Sequence, residues 1–307
     1  MAELETVDYI WKNGDMIAWE DANTHVLSHS LHYGSAVFEG IRCYQDSETK
    51  KSFVFRLREH MERLHRSCRI ALIDLNYSVD ELCEATVELI QKNKLKSCYI
   101  RPLVYRGYGV MGVDPTDAPI DIIIAVWPWD TYLGAEALEK GVSVGVSSWR
   151  QRSINSIPPA VKSSASYMNS IFAKLEAREH GYMEAIMLNE AGLVCEGTGE
   201  NIFIVRNGVM STPPLSDGVL EGITRDTIIN LACDMDIPII EESLTRSDLY
   251  IADEMFMTGS AAEVTPVASV DERKINSPGE ITLSLQKRYF DLAYGRLSEY
   301  ADWLTEV

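Results

Sequence analysis

Lys162 stands in the run Ile157-Pro158-Pro159-Ala160-Val161-Lys162-Ser163-Ser164-Ala165-Ser166-Tyr167, with small or apolar neighbours and no carboxylate within seven residues on either side. An amine in such company is either a surface group on a loop or a desolvated one with a lowered pKa. Taken alone, the surface reading is the commoner. Val194-Cys195-Glu196-Gly197-Thr198-Gly199-Glu200-Asn201-Ile202-Phe203 places two carboxylates in a glycine-rich turn between strands. Glu200 reads there as a solvated acid of a tight turn. Leu220-Glu221-Gly222-Ile223-Thr224-Arg225-Asp226 sets small residues and a threonine at a helix start. Such a start offers free backbone N–H groups to an anion, or is closed by Thr224 as a plain N-cap. Thr258-Gly259-Ser260-Ala261-Ala262-Glu263 is a second small-residue turn with donors.

Two other patterns point elsewhere and fail on context. Gly107-Tyr108-Gly109-Val110-Met111-Gly112 matches G-x-G-x-x-G after a strand, but Pro115 and Pro119 follow where a dinucleotide site needs a helix. His25, His29 and His32 cluster, yet no H-E-x-x-H spacing accompanies them, and Tyr33-Gly34 ends any long helix. They read as hydrogen-bonding and packing histidines, with no metal. Neither a phosphate-binding G-x-x-x-x-G-K-[ST] loop nor a G-x-S-x-G elbow occurs.

The elements that must hold these residues alternate without a regular βαβ rhythm, which reads as α+β. Tyr9–Lys12 and Asp15–Trp19 form a hairpin about Asn13-Gly14. Strands are expected at Ser52–Arg56, Ser97–Tyr105, Ile120–Trp127, Val142–Ser148 and Asn201–Val205, and a hairpin at Glu184–Asn189 with Leu193–Glu196. Helices are expected at Leu57–Ile70, Val79–Lys92, Ser166–His180 and from Thr224 to about Met235. Ser78 and Glu81 have capping-box spacing before the apolar face Leu82, Ala85, Leu89 and Ile90. Pro128–Glu139 breaks the pattern.

The bulk composition narrows the class. The 307 residues allow one large domain or two moderate ones, and the net charge of −18 argues against nucleic-acid binding. The longest apolar runs, around Ile120–Val126 and Val142–Val146, are strand-sized rather than membrane-sized. The acidic opening MAELETVDYIW lacks a signal-peptide core, and the six cysteines show no paired spacing. Reduced thiols in a cytoplasmic protein are expected.

Taken together the runs resemble a known family. The chain is similar to the fold-type IV pyridoxal-phosphate aminotransferases, and within them to the branched-chain amino-acid aminotransferases. The resemblance runs from Tyr9-Ile10-Trp11 to about Glu280. Its most specific runs are His32-Tyr33-Gly34, Val37-Phe38-Glu39-Gly40-Ile41-Arg42, Tyr99-Ile100-Arg101-Pro102, Glu196-Gly197-Thr198-Gly199-Glu200-Asn201, Gly222-Ile223-Thr224-Arg225 and Gly259-Ser260-Ala261-Ala262-Glu263.

The resemblance implies an α+β fold like that of D-amino-acid aminotransferase: a smaller N-terminal α/β domain over 1–127, an interdomain loop at 128–132, and a larger C-terminal pseudo-barrel domain over 133–307. Pyridoxal 5′-phosphate and substrate would lie in the cleft between them. Lys162 matches the Schiff-base lysine, whose freed amine shuttles the proton between Cα and the cofactor's C4′. Glu196 matches the partner of the pyridine nitrogen, and Tyr167 that of the phenolic oxygen. Arg63, Ile223, Thr224, Gly259 and Ser260 match the phosphate contacts.

Phe38, Tyr132 and Tyr33 resemble the walls of an apolar side-chain pocket, with Tyr33 reaching in from a neighbouring subunit of a homodimer or higher homo-oligomer. Tyr99 and Arg101 resemble the receivers of glutamate's distal carboxylate. The Ser260-Ala261-Ala262 turn would hold the α-carboxylate, and the Gly107–Gly112 loop resembles one lent across the dimer. The implied reaction is ping-pong transamination between leucine, isoleucine or valine and 2-oxoglutarate. The family often has glycine and asparagine just before the tyrosine, whereas this chain reads Ser164-Ala165-Ser166. The alternatives are a D-amino-acid or R-selective amine transaminase or a 4-amino-4-deoxychorismate lyase of the same fold, and, from another class, a nicotinamide-dependent oxidoreductase.

Overall fold

The computed structural model describes residues 4–129, 134–276 and 278–307. The chain divides into two compact units. The first comprises 1–130, 161–165 and 292–307, and the second 131–160 and 166–291. This grouping differs from a single cut at 128–132, a loop that falls mostly outside the described residues. It assigns the segment carrying Lys162 to the first unit.

The first unit is built on an antiparallel sheet. Its strands are β1 (Tyr9–Lys12), β2 (Asp15–Ala18), β3 (Ala36–Phe38), β4 (Ile41–Gln45), β5 (Ser52–Phe55), β6 (Cys98–Arg106) and β7 (Ile120–Trp127). The main order is β5-β4-β6-β7-β1-β2, with β3 also pairing β6. Asn13 and Gly14 both take positive φ, as a tight two-residue hairpin requires. Helices α1 (His29–Tyr33), α2 (Leu57–Ile70) and α3 (Val79–Lys92) complete the unit. The Ser78–Glu81 capping box forms as expected. Leu57, Met61 and Leu64 of α2 and Leu82, Leu89 and Ile90 of α3 pack with Ile41, Ile100, Val104 and Ile124 of the sheet in one core. Side chains alternate along a strand, so Ile100 and Val104 inside that core put Tyr99 and Arg101 on the opposite face of β6.

The second unit begins with α4 (Ala135–Lys140), where the sequence shows only a break. Its strands are β8 (Val142–Arg150), β9 (Glu184–Leu188), β10 (Val194–Gly197), β11 (Asn201–Arg206), β12 (Val209–Thr212), β13 (Ile239–Glu241), β14 (Glu254–Gly259), β15 (Glu263–Val270) and β16 (Arg273–Lys274). The main sheet order is β10-β9-β8-β15-β14-β11-β12-β13. Val142, Val144, Ile186, Ile202, Met255, Met257 and Val267 form its core. Helices α5 (Tyr167–Glu179) and α6 (Ile223–Asp234) are those expected, within a residue or so. Helices α7 (Arg246–Tyr250) and α8 (Glu280–Ala293) were not anticipated. The last strand, β17 (Leu304–Glu306), pairs with β5 and belongs to the first unit.

Candidate active site

In the first unit the lysine is set by its neighbours. Val161 is buried in the core that holds α2 and α3. The Lys162 N–H donates to Ser67 Oγ at 3.2 Å. Its carbonyl accepts the Phe38 N–H at 3.1 Å, and Val37 bridges Ser163. Three backbone anchors thus fix a loop whose sequence alone favoured an ordinary surface segment. The Lys162 side chain is half-buried, and Nζ lies 5.3 Å from the Phe38 ring centroid.

The strand break between β3 and β4 has a physical cause. Glu39 lies opposite Pro102, which has no N–H to continue the ladder. The Glu39 N–H still bonds the Pro102 carbonyl, at 2.9 Å. The Glu39 side chain turns to α2, where its two oxygens accept Arg63 Nε and Nη2, each at 2.7 Å, and His60 Nδ1 lies at 2.8 Å. All three side chains are buried. Burial opposes the Glu39 charge, but Arg63 and His60 overcome it and hold the carboxyl far below the usual range. Burial pushes the His60 imidazole down against the pull of Glu39, and the Arg63 and Lys162 charges add to that depression. Sequence reasoning missed Glu39 and His60. The Arg-to-carboxylate pairing spans 24 positions and leaves no local pattern.

Gly40 makes room for a neighbour: a Cβ there would stand 2.0 Å from the Tyr99 hydroxyl. Tyr99 pairs across the sheet with Trp127. Arg101 Nη2 donates to that hydroxyl at 3.3 Å. The Arg101 guanidinium carbon lies 4.7 Å from the Phe38 ring, 5.3 Å from Tyr99 and 6.0 Å from Trp127. Its buried Nε has no hydrogen-bond partner among the described residues. The structure therefore brings together Phe38, Tyr99 and Arg101, three of the expected substrate residues, and adds Trp127. Tyr132 lies outside the described residues.

Tyr33 ends α1, exposed, with its ring 4.6 Å from that of His29. His29 is a buried connector, with Nδ1 at 2.7 Å from Ser35 Oγ and Nε2 at 2.9 Å from the Gly112 carbonyl. No helix follows Gly112; the chain runs irregularly to β7, which removes the dinucleotide reading.

In the second unit Glu196 lies on β10, where the register with β9 shifts between Val194 and Glu196. Such bulges re-aim side chains. The carboxylate accepts Gln151 Nε2 and, at 3.0 Å, the Leu220 N–H. Gln151 is buried and gave no sequence signal. Asn201 Nδ2 donates to the Leu220 carbonyl at 3.1 Å, so one short segment is held from both sides. Gly222 follows as the N-cap of α6 and supplies no side-chain cap. A Cβ on Gly222 would stand 1.9 Å from Asn201 Oδ1. Thr224 is not the cap but lies inside the first turn, buried with Ile223. Gly259, Ser260 and Ala261 form the half-buried turn from β14 to β15. Tyr167 opens α5, half-buried.

Glu200 is not a solvated acid. It is buried, its carboxyl accepts the Gly199 N–H at 3.0 Å, and burial with the nearby Glu184 charge pushes it up to about 8. Among the described residues no cluster of histidine, cysteine or acid could hold a metal ion.

A carboxylate with two protein donors and an uncapped helix start in one unit fit an aromatic nitrogen and a phosphate, the two ends of pyridoxal phosphate. The family model for class IV amino-transferases matches residues 36–270. The branched-chain-amino-acid aminotransferase of Escherichia coli (strain K12) is 50% identical over 303 residues, covering 98% of this chain and 97% of that one. The crystal structure of the Escherichia coli branched-chain amino acid aminotransferase superposes with a TM-score of 0.94 at 49% identity, over 97% of this chain and 99% of that chain. The branched-chain amino acid aminotransferase from Thermobaculum terrenum, in its PLP-form, gives 0.92 at 36% identity, over 98% of each chain. Site chemistry, fold and kinship agree: this chain belongs to the class IV aminotransferases, alongside the branched-chain-amino-acid aminotransferases.

Proposed function

We propose that the chain transfers the amino group between leucine, isoleucine or valine and 2-oxoglutarate, using pyridoxal phosphate, by ping-pong kinetics. The observation that carries the substrate reading is Arg101 lying among Phe38, Tyr99 and Trp127. Aromatic walls bury the methyl groups of a branched aliphatic side chain. The guanidinium, with the Tyr99 hydroxyl beside it, suits the distal carboxylate of glutamate and 2-oxoglutarate. One pocket thereby serves both half-reactions.

The bound cofactor supplies an electron sink for the charge left at Cα. Lys162 holds the cofactor and moves the Cα proton through Nζ. Glu196 keeps the ring nitrogen protonated, and its bonds from Gln151 and Leu220 fix its aim. Tyr167 donates to the phenolic oxygen. Ile223, Thr224, Gly259 and Ser260 offer donors to the phosphate, with Arg63 as its positive charge. The Ser260–Ala261 turn receives the α-carboxylate. The domain division that we propose remains 1–127 and 133–307, joined at 128–132.

The enzyme works as a homo-oligomer in the cytoplasm in this reading. Leu31, Tyr33, Tyr108, Met111 and Val113 are exposed apolar groups on segments tied together by His29 and Gly112, a surface suited to a second copy. Tyr33 and the Gly107–Gly112 loop then serve the site of that copy. No helix among the described residues is long and apolar enough to cross a membrane.

A donor panel tests the reaction. L-leucine, L-isoleucine and L-valine should react with 2-oxoglutarate, whereas D-alanine and (R)-1-phenylethylamine should be at least about a hundredfold slower by kcat/KM. Borohydride should fix the cofactor to Lys162. Failure with L-leucine, or fixation at another lysine, contradicts the proposal.

A further inference from the structure

The turn after Glu196 holds a second carboxyl that the reaction does not use. Glu200 folds back so far that a Cβ on Gly197 would lie 2.7 Å from its Oε2. The Gly197 N–H bonds the Glu200 carbonyl at 2.7 Å, which closes the turn. On its other side, Gly259 sits so near that a Cβ there would lie 3.8 Å from Glu200 Cα and 3.3 Å from the Gly199 carbonyl. Glu200 is thus the packing element between the Glu196 strand and the Gly259–Ser260 turn.

Its electrostatic surroundings are crowded with like charge. Glu184 of β9 is fully buried and takes Lys174 Nζ, from α5, at 2.5 Å and Thr198 Oγ1 at 2.7 Å. Glu196 of β10 adds a further carboxyl and Lys174 a cation to the field at Glu200, and Glu263, also buried, pairs with Gly259 on the adjoining turn. Ionising Glu200 as well would set a second buried carboxylate beside that of Glu184 in the same turn, which is costly.

We propose that Glu200 is a positioning residue held as a neutral acid, so that Glu196 is the anion this turn presents and the Gly259–Ser260 turn packs against Glu200 without a further buried charge there. The proposal rests on the reading of Glu196 and Ser260 as cofactor contacts. Its consequence is a proton link. Ionisation of Glu200 adds a further anion between the Glu196 strand and the Gly259–Ser260 turn, so cofactor affinity falls as pH rises through the range where Glu200 gives up its proton. A glutamine of the same shape removes the link and keeps the packing, whereas alanine removes both.

The first measurement needs no cofactor. In protein labelled with 13C at glutamate carboxyls, one resonance should titrate near pH 8 in the wild type and be missing from Glu200→Gln. If Glu200→Gln does not fold, Glu184→Gln gives the comparison, with the same resonance titrating about one unit lower. A Glu200 carboxyl that titrates below about pH 6 overturns the proposal.

The second measurement is pyridoxal phosphate affinity in wild type, Glu200→Gln and Glu200→Ala. From pH 7 to pH 9 the wild type should lose about tenfold relative to Glu200→Gln, since one unit of coupled pKa shift is a tenfold change in binding. At pH 7 Glu200→Gln should match the wild type while Glu200→Ala falls below both. A wild-type to glutamine ratio that stays constant with pH, or a glutamine variant as weak as alanine at pH 7, overturns the proposal. A wild type that binds no cofactor at all defeats the site reading instead, and the carboxyl titration still decides Glu200.

Discussion

In the proposed reaction Arg101 must tolerate leucine's methyl groups and still receive a carboxylate. Its plane lies among aromatic rings, which accept a weakly hydrated guanidinium, and its buried Nε has no hydrogen-bond partner among the described residues. Arg101→Met should raise KM for 2-oxoglutarate by about ten- to a hundredfold, the worth of a charged hydrogen bond, and change kcat/KM for L-leucine by less than about threefold. Steady-state kinetics with each substrate would show it; equal losses for both would remove Arg101 from the specificity role. Glu39 sets a second prediction. Glu39→Gln leaves Arg63 and His60 buried without their anion and should cost about 3–5 kcal/mol in urea unfolding. The sign with pH follows from a carboxyl whose folded pKa lies below its unfolded one. Its stabilisation is complete above the unfolded carboxylate range, and it is lost as pH falls from there through the folded value. The wild type and variant should therefore converge in acid, and a gap that widens there would refute the account.

At the scale of elements, the β3–β4 break is the piece on which the pocket turns. Pro102 interrupts the ladder, Glu39 swings to α2, and Gly40 leaves space for the Tyr99 hydroxyl. Gly40→Ala should displace Tyr99 and lower kcat/KM for 2-oxoglutarate by about tenfold, the range of one to two hydrogen bonds, and a crystal structure of the variant with Tyr99 unmoved would contradict it. The same break shows what a sequence conveys. Helices α2 and α3 were legible to the residue, because long amphipathic runs with caps are local signals. Helix α1 was not, since its five residues carry no period. The α6 start was legible from its own residues, whereas the runs holding Lys162 and Glu196 stood out only through the family resemblance. Glu39, His60, Gln151 and the burial of Glu200 were not, because each depends on a partner brought near only by sheet pairing.

For the molecule as a whole, the exposed apolar cluster about Tyr33 and Val113 predicts association. Specific activity should fall on dilution in step with loss of the oligomer by sedimentation, and a fully active monomer would contradict it. Strand β17 bears on how the chain is made. It supplies the edge of the first unit's sheet beside β5, and the Arg56 N–H that opens α2 bonds the Trp303 carbonyl at 2.7 Å. During synthesis, residues 304–306 emerge from the ribosome long after α2, the helix that carries Arg63, has done so. The first unit must therefore wait, with an unfinished edge, while the whole second unit is being made. A ribosome stalled in that interval would leave the edge open for a chaperone or for another nascent chain.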